Sequence, residues 1–256
     1  MRIATWNVNS LRARLDLALD WLAQAGPEVV CVQETKVVDA LFPVEPLAQL
    51  GYQAAFVGQK TYNGVAILSR LPLDEVAYAL PQAPGEDEKR FIAATIQGWR
   101  VINIYVPNGQ AVDSPKFVYK LGWLESLQAF LASTYTVDTP LVLCGDFNIA
   151  PEPRDVYDAE QADGEILFHP EERAAFSRLL DWGLCDTVRL HRDDAGLYSW
   201  WDYRAAAFRR NRGFRIDHIL VTPPLAKKCT GVSFARALRQ QPKPSDHIPV
   251  VATFTP

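Results

Sequence analysis

Apolar and polar positions along this chain follow two different periods, and the switch between them marks out the elements. Arg2 to Trp6 alternates as a strand and ends in Asn7-Val8-Asn9-Ser10. Leu11, Leu15, Ala18 and Leu22 then recur at helical spacing until Gly26-Pro27 stops the helix. Val29 to Val32 is a second apolar strand, closed by Gln33-Glu34-Thr35-Lys36. Residues 37–60 read as a loop and a short helix before a strand from Tyr52 to Val57. Thr61-Tyr62-Asn63-Gly64 reads as a turn, because Asn-Gly favours tight hairpins, and Val65 to Leu68 continues as a strand.

The pattern continues through a polar connection over residues 80–89, and Arg90 opens a strand from Phe91 to Ile96. A turn at Gly98-Trp99 leads to a strand from Arg100 to Val106, and such closely spaced strands predict antiparallel pairing. Pro115 opens a helix after Asp113-Ser114, with Phe117, Leu121, Leu124, Gln128 and Leu131 along one face. The apolar run LVLCGDFNIA, Leu141 to Ala150, reads as a buried strand opening into a loop. A long acidic connection over residues 149–169 precedes a helix opened by Pro170, with Phe176, Leu179, Leu180 and Gly183 marking its inner face and end. His169 falls at the cap position of that helix. Phe214 to Val221 and Ile248 to Phe254 read as the last two strands.

Composition narrows the class. With 256 residues, 48% of them hydrophobic, the chain can bury a large core and is near the upper size of one domain, so a single domain over residues 1–256 is expected. No run approaches the roughly 20 apolar residues of a membrane span. MRIATWNVNSLR lacks a signal-peptide apolar core. Cys31, Cys144, Cys185 and Cys229 are far apart, without zinc or disulfide spacing, and read as free thiols of a cytoplasmic protein. Net charge is -4, which argues against global nucleic-acid affinity. Locally, however, residues 204–215 carry Arg204, Arg209, Arg210, Arg212 and Arg215, and residues 152–172 are acidic. That segregation predicts a steering face.

The chemistry gathers at strand ends: Asn7, Glu34, Asn108, Asp146 with Asn148, and Asp246 with His247. Gly145 allows close backbone approach, and Asp146 and Asn148, two residues apart on extended chain, point the same way. His247 is one of four histidines and a candidate general acid or base, with Asp217 placed to orient it. Tyr198-Ser199-Trp200-Trp201-Asp202-Tyr203 sets aromatics beside the arginine-rich segment, a composition suited to stacking on bases or filling a sugar-sized gap. Each feature alone also fits a plain role: a strand terminus, a turn or a core aromatic. Together they form an oxygen-rich set that suits magnesium or manganese rather than zinc. The chain contains no GxxxxGKS loop and no GxSxG elbow. Metal-assisted attack of water on a phosphodiester fits the inventory best.

The segments WNVNSLRAR, QETK, YNGVAILSR, NIYVPNG, GDFNIAP, WDYR, RIDHIL and PSDHIPV occur in this order from end to end of the chain. In this the sequence resembles the exonuclease III-type apurinic/apyrimidinic endonucleases of the endonuclease/exonuclease/phosphatase superfamily. The resemblance implies a four-layered α/β sandwich, two mixed β-sheets face to face and flanked by helices. It implies Glu34 as principal Mg²⁺ ligand (Mn²⁺ a possible substitute), with Asn7 and Asp246 close to the metal. Asp146 would position or deprotonate the attacking water with help from Asn148. His247, oriented by Asp217, would contact the scissile phosphate, with Tyr105 and Asn108 as phosphate-side donors. Trp200, Phe214 and Ile216 match the pocket for a flipped-out abasic sugar, and Arg90, Lys116 and Arg204 are candidate DNA contacts.

The implied activity is hydrolysis of double-stranded DNA 5′ to abasic sites, with 3′-to-5′ exonuclease action, by a monomeric bacterial-type cytoplasmic protein working with the nucleoid. A bulky side chain in the region near His169 would instead favour a specialised 3′-to-5′ exonuclease or 3′-phosphatase. A non-catalytic DNA-binding module and a phosphatase for other substrates are the readings from other classes.

Overall fold

The computed structural model describes residues 1–85 and 87–256. Among the described residues, twelve strands form two six-stranded sheets. The first contains β1 (Arg2–Asn7), β2 (Val29–Gln33), β3 (Gln53–Val57), β4 (Val65–Ser69), β11 (Cys229–Phe234) and β12 (Val250–Phe254), in the order β11-β12-β1-β2-β4-β3. The second contains β5 (Asp74–Ala77), β6 (Phe91–Ile96), β7 (Trp99–Tyr105), β8 (Leu141–Asp146), β9 (Cys185–Asp186) and β10 (Asp217–Val221), in the order β5-β6-β7-β8-β10-β9. Helices α1 (Leu15–Ala25), α2 (Val44–Gln49), α3 (Pro115–Thr134), α4 (Ala159–Ala162), α5 (Pro170–Asp181) and α6 (Pro223–Ala226) complete the order.

Alternation along the strands sorts their side chains into layers. Ile3, Cys31, Ile67, Ile92, Val101, Cys144 and Ile219 fill the space between the sheets. Ala4, Trp6, Val30 and Leu68 face the other way, onto Trp21 and Leu22 of α1. Ile102, Ile104, Leu141 and Leu143 face Trp123, Leu127, Phe176 and Leu179 of α3 and α5. The result is the four-layered sandwich, with mixed sheets: β1–β2 and β7–β8 pair in parallel, across α1 and α3, and the other ladders are antiparallel.

Pairing direction decides what meets at the rim. β12 runs antiparallel to β1, so the start of β12 lies beside the end of β1. β10 runs antiparallel to β8, and Asp217 at its start is directly opposite Asp146 at the end of β8. The sheets are pinned beneath this rim by buried amides. Gln33 Nε2 donates to Asn103 Oδ1 at 2.6 Å and to Thr5 Oγ1 at 2.9 Å, and Asn103 Nδ2 donates to the carbonyls of Val32 and Ala66 at 3.0 and 2.9 Å. Hydrogen bonds across an apolar core fix register, which hydrophobic contact alone leaves free.

Several expected details shift. The Asn63-Gly64 pair is left-handed at both residues but lies in the longer connection 58–64 rather than at the centre of a two-residue hairpin. The buried face of α3 is Phe117, Lys120, Trp123, Leu124, Leu127 and Leu131, and Leu121 and Gln128 are half-buried at its edges. Leu180 of α5 is likewise half-buried. The strand read from Phe214 begins at Asp217, because Phe214 instead bridges Trp200 and Val156. Edge strands β5, β9 and β11 were not anticipated; β5 is exposed or half-buried throughout and lacks an apolar pattern. Most of the opposed charges, Arg204, Arg209, Arg210 and Arg212 among them, stay at the surface, but a few turn inward. Arg215 is buried against Asp155 and Asp186, and Glu172 is buried against Lys120.

Candidate active site

Both sheets deliver polar ends to one rim. The amide of Asn7, at the end of β1, donates to Glu34 Oε1 and to Asp146 Oδ2, each at 2.8 Å. It therefore bridges carboxylates from the two sheets, and it turns nitrogen rather than oxygen toward them because its Oδ1 accepts from Asn9 N at 2.9 Å. Glu34 stands at φ 51, a left-handed conformation that turns the chain out of β2 at the rim. Burial would raise its pKa, but Lys36, 2.7 Å from Oε2, and Asn7 hold the carboxyl below its usual range.

Asp146 accepts from Asn148 N at 2.9 Å, and Asn148 sits at φ 50 immediately beyond β8. Asn148 Oδ1 accepts from Asn108 Nδ2 at 3.1 Å, and its own Nδ2 donates to the Val106 carbonyl at 3.0 Å. Gly145 is required here: a Cβ would lie 1.9 Å from the Ile104 carbonyl oxygen. Burial and the neighbouring Asp217 raise the Asp146 pKa against the pull of His247, and it stands at about 7.

His247 Nδ1 is 2.8 Å from Asp217 Oδ2, and its Nε2 is 3.7 Å from Asp146 Oδ2. Burial favours the neutral ring, but Asp217 and Asp146 outweigh it and lift the pKa to about 10. The imidazole is therefore a cation at neutral pH, with a donor facing the rim. Asp146, Asp217 and His247 bring one ligand-capable atom each within 4.8 Å of one another. Glu34 adds a further carboxylate at the same rim. Four carboxylates (Glu34, Asp146, Asp217, Asp246) gather around His247 and Lys36, and Asp217 Oδ1 is buried without a partner. That excess of hard, anionic oxygen fits a divalent cation.

Asp246 is half-buried and already engaged: Asn9 Nδ2 donates to Oδ1 and Trp200 Nε1 to Oδ2, both at 3.0 Å. Trp200 and Phe214 stand with ring centroids 5.7 Å apart, above a buried floor that includes Ile216, Val156, Leu167 and Phe168. Only part of the aromatic run joins this cluster. Trp201 is fully buried with Tyr198 and Ile248, and Tyr203 lies at the surface, held to the Pro244 carbonyl.

Tyr105 borders Glu34 and Asp146, and burial with those two carboxylates raises its pKa well above the usual phenol value. Arg90 lies behind it, its guanidinium 4.7 Å from the Tyr105 ring and paired with Glu88, so it supports Tyr105 and offers little free surface. Lys116 and Arg204 are exposed. His169 caps α5 through Nδ1 and sets its edge on Phe117 at 5.0 Å. It is thus committed to the helix cap, and Leu167 and Phe168 supply the bulk beneath Trp200 and Phe214.

Sequence reasoning passed over Asn9, Lys36, Ser245 and Lys120. Asn9 and Lys36 lie in the turns that follow β1 and β2, and Lys36 Nζ donates to Asn9 Oδ1 at 2.6 Å. Ser245 Oγ donates to the Asn7 carbonyl at 2.8 Å. The legible signal for Lys120 was a cation at an inner-face position three residues after Phe117.

Residues 4–247 match the model of the endonuclease/exonuclease/phosphatase family. Exodeoxyribonuclease III of Haemophilus influenzae is 36% identical over 99% of this chain and 100% of its own length. Among solved structures, the 3′-5′ exonuclease NExo from Neisseria meningitidis is 45% identical, with a TM-score of 0.96 over 99% of each chain. An AP endonuclease from Archaeoglobus fulgidus is 41% identical, with a TM-score of 0.96 over 100% of each chain.

Proposed function

The chain belongs to the endonuclease/exonuclease/phosphatase family and is a nuclease of the exodeoxyribonuclease III and AP endonuclease type, and from that premise we propose that it hydrolyses the phosphodiester 5′ to abasic sites in double-stranded DNA and trims 3′ ends, with Mg²⁺ as cofactor and Mn²⁺ as a substitute. The observation that carries this reading is the direct contact between the Trp200–Phe214 aromatic pair and the charged centre. Trp200, one side of the apolar cleft, donates its indole N–H to Asp246 at 3.0 Å. A sugar without a base fills such a cleft, and it leaves the duplex at low cost because no base pair is broken.

Asp146, with a pKa of about 7, accepts the proton of the attacking water as the new oxygen–phosphorus bond forms and the bond to the leaving oxygen breaks. Asn148 and Asn108 form one hydrogen-bonded pair beside that carboxylate and orient water and phosphate. His247, held charged by Asp217, donates to a non-bridging oxygen, and Tyr105 stays protonated and donates alongside it. Glu34, with Asn7 and Asp246 nearby, would hold the divalent cation, and positive charge supplied there would offset the negative charge that grows on the phosphate. Among the described residues no helix is long and apolar enough to cross a membrane. The proposed setting is the cytoplasm with the nucleoid, as a monomeric single domain.

A second reading is favoured by Leu167. It is left-handed at φ 75, 8% exposed, and packed in the cluster below Trp200 and Phe214. A bulky L residue tolerates that conformation only under constraint, so the wall of the cleft is held full where glycine would leave room. A narrowed cleft favours 3′-end trimming or 3′-phosphate removal with little abasic-site cleavage. One experiment separates the two: labelled duplexes, one with a central abasic-site analogue and one with a recessed 3′ end, incubated with Mg²⁺ or with a chelator. A single metal-dependent cut 5′ to the lesion is expected. A ladder from the 3′ end alone would establish the second reading, and no cleavage of either would overturn both.

A further inference from the structure

One buried cation behind the rim has no part in the chemistry described so far. Lys120 lies at 0% side-chain exposure on the inner face of α3. Its ammonium has three N–H donors. One goes to the Asn148 carbonyl at 2.7 Å, one to the Asn108 carbonyl at 3.1 Å, and one to the carboxylate of Glu172. All three are used and none faces solvent. Gly109 makes the passage possible, because a Cβ there would lie 3.1 Å from Lys120 Cδ and 2.8 Å from Ile166 Cδ1. Glu172 is also fully buried and accepts from the His169 backbone N–H at 3.0 Å, closing the cap of α5.

The two carbonyls belong to the two residues whose side chains meet at Asn108 Nδ2–Asn148 Oδ1. With the Lys120 bond added, the backbone N–H, side-chain oxygen, side-chain nitrogen and carbonyl of Asn148 all have partners. Asn148 stands in a left-handed conformation, which Asn tolerates better than most residues, and these bonds fix it there. A buried ion pair is a poor device for stability, since an apolar pair of equal volume usually does as well. Its distinctive property here is geometric: one ammonium fixes two loops, one after β7 and one after β8, against the start of a helix.

We propose that Lys120, paired with Glu172, is a positioning residue for phosphodiester hydrolysis that holds Asn108 and Asn148 in register with Asp146. It acts through those residues on the chemical step and leaves the exposed DNA-binding surface unchanged. The proposal rests on the phosphodiesterase reading above.

The test compares wild type, Lys120→Met and the double variant Lys120→Met/Glu172→Leu under single-turnover conditions on a DNA duplex that wild type cleaves. Duplex affinity is measured separately in chelator, and melting temperature is recorded for each protein. The single variant strands the Glu172 carboxylate and is expected to melt lower. The double variant removes both charges and is expected to recover most of that melting temperature. If the pair positions the asparagines, the recovered double variant still cleaves about tenfold or more slowly, with duplex affinity within about twofold of wild type. A double variant that regains both melting temperature and cleavage rate would make the pair merely structural and overturn the proposal, as would a rate loss matched by an equal loss of affinity. If Lys120→Met does not fold, the double variant alone carries the same comparison. Failure of wild type to cleave any duplex would instead overturn the phosphodiesterase reading.

Discussion

Two buried histidines lie close to each other in this molecule and are driven in opposite directions. His247 contacts Asp217, and His218 is the next residue along β10 on the opposite face of the sheet. His247 has carboxylates on both ring nitrogens and is pushed up to about 10. His218 has Arg215 at 3.0 Å from Nδ1 and the Ile149 carbonyl at 2.8 Å from Nε2. Burial and the guanidinium push it down to about 4. Its surroundings form a closed set: Arg215 and Arg189 against Asp155, and Arg215 against Asp186. Around His247 the set is open, with more carboxylates than cations and Asp217 Oδ1 unpartnered. Equal burial therefore teaches little by itself. A balanced charge network holds a fold together, and an unbalanced one is poised for a cation and a substrate phosphate.

The strongest way to break this contrast is Asp146→Asn. Turnover is expected to fall by about 10³-fold or more, within the range for loss of a general base, while duplex binding in chelator is retained. Parallel loss of both would contradict the role given to Asp146. In the closed network, Arg215→Met strands the buried Asp186 carboxylate, leaves Asp155 with Arg189 alone, and should cost about 3–5 kcal/mol in urea unfolding, with the surviving folded fraction cleaving at the wild-type rate. A slow but fully stable Arg215→Met protein would mean that the network serves the chemistry.

Smaller effects sharpen the comparison. Asp217→Asn removes the partner that keeps His247 charged, and turnover near pH 8 should fall by about 10²-fold with an alkaline limb moved to lower pH. An unchanged pH–rate profile would exclude a charged His247. The stability profile should carry both histidines. His218 folds with a pKa of about 4, below the ordinary 6.5, so the unfolded chain binds the proton first as pH falls. Its contribution is intact above 6.5 and is lost as pH drops through 4, at up to about 1.4 kcal/mol per pH unit. His247, raised to about 10, contributes fully below 6.5 and loses that contribution as pH rises through 10. Urea unfolding across this range, with His218→Phe flattening the acid side, checks the assignment.

Much of this protein was legible before any fold was known. Period-2 and period-3.6 patterns located β1, β2, α1 and the β6–β7 pair, because each buries a continuous apolar face that composition must supply. Strand-end chemistry at Asn7, Glu34, Asp146 and His247 was visible as polar residues closing apolar runs. The edge strand β5 was not, since an exposed strand needs no apolar pattern. Only the tertiary structure decided partnership. The antiparallel register of β8 and β10 sets Asp217 against Asp146, and the facing of the sheets brings Asn7 between Glu34 and Asp146. It also assigned Arg215 and Glu172, read as parts of the two opposed charge segments, to the interior. Sequence specifies which groups a segment carries. The sign of a pKa shift, and the use of a charge, depend on neighbours that arrive from distant segments when the two sheets close.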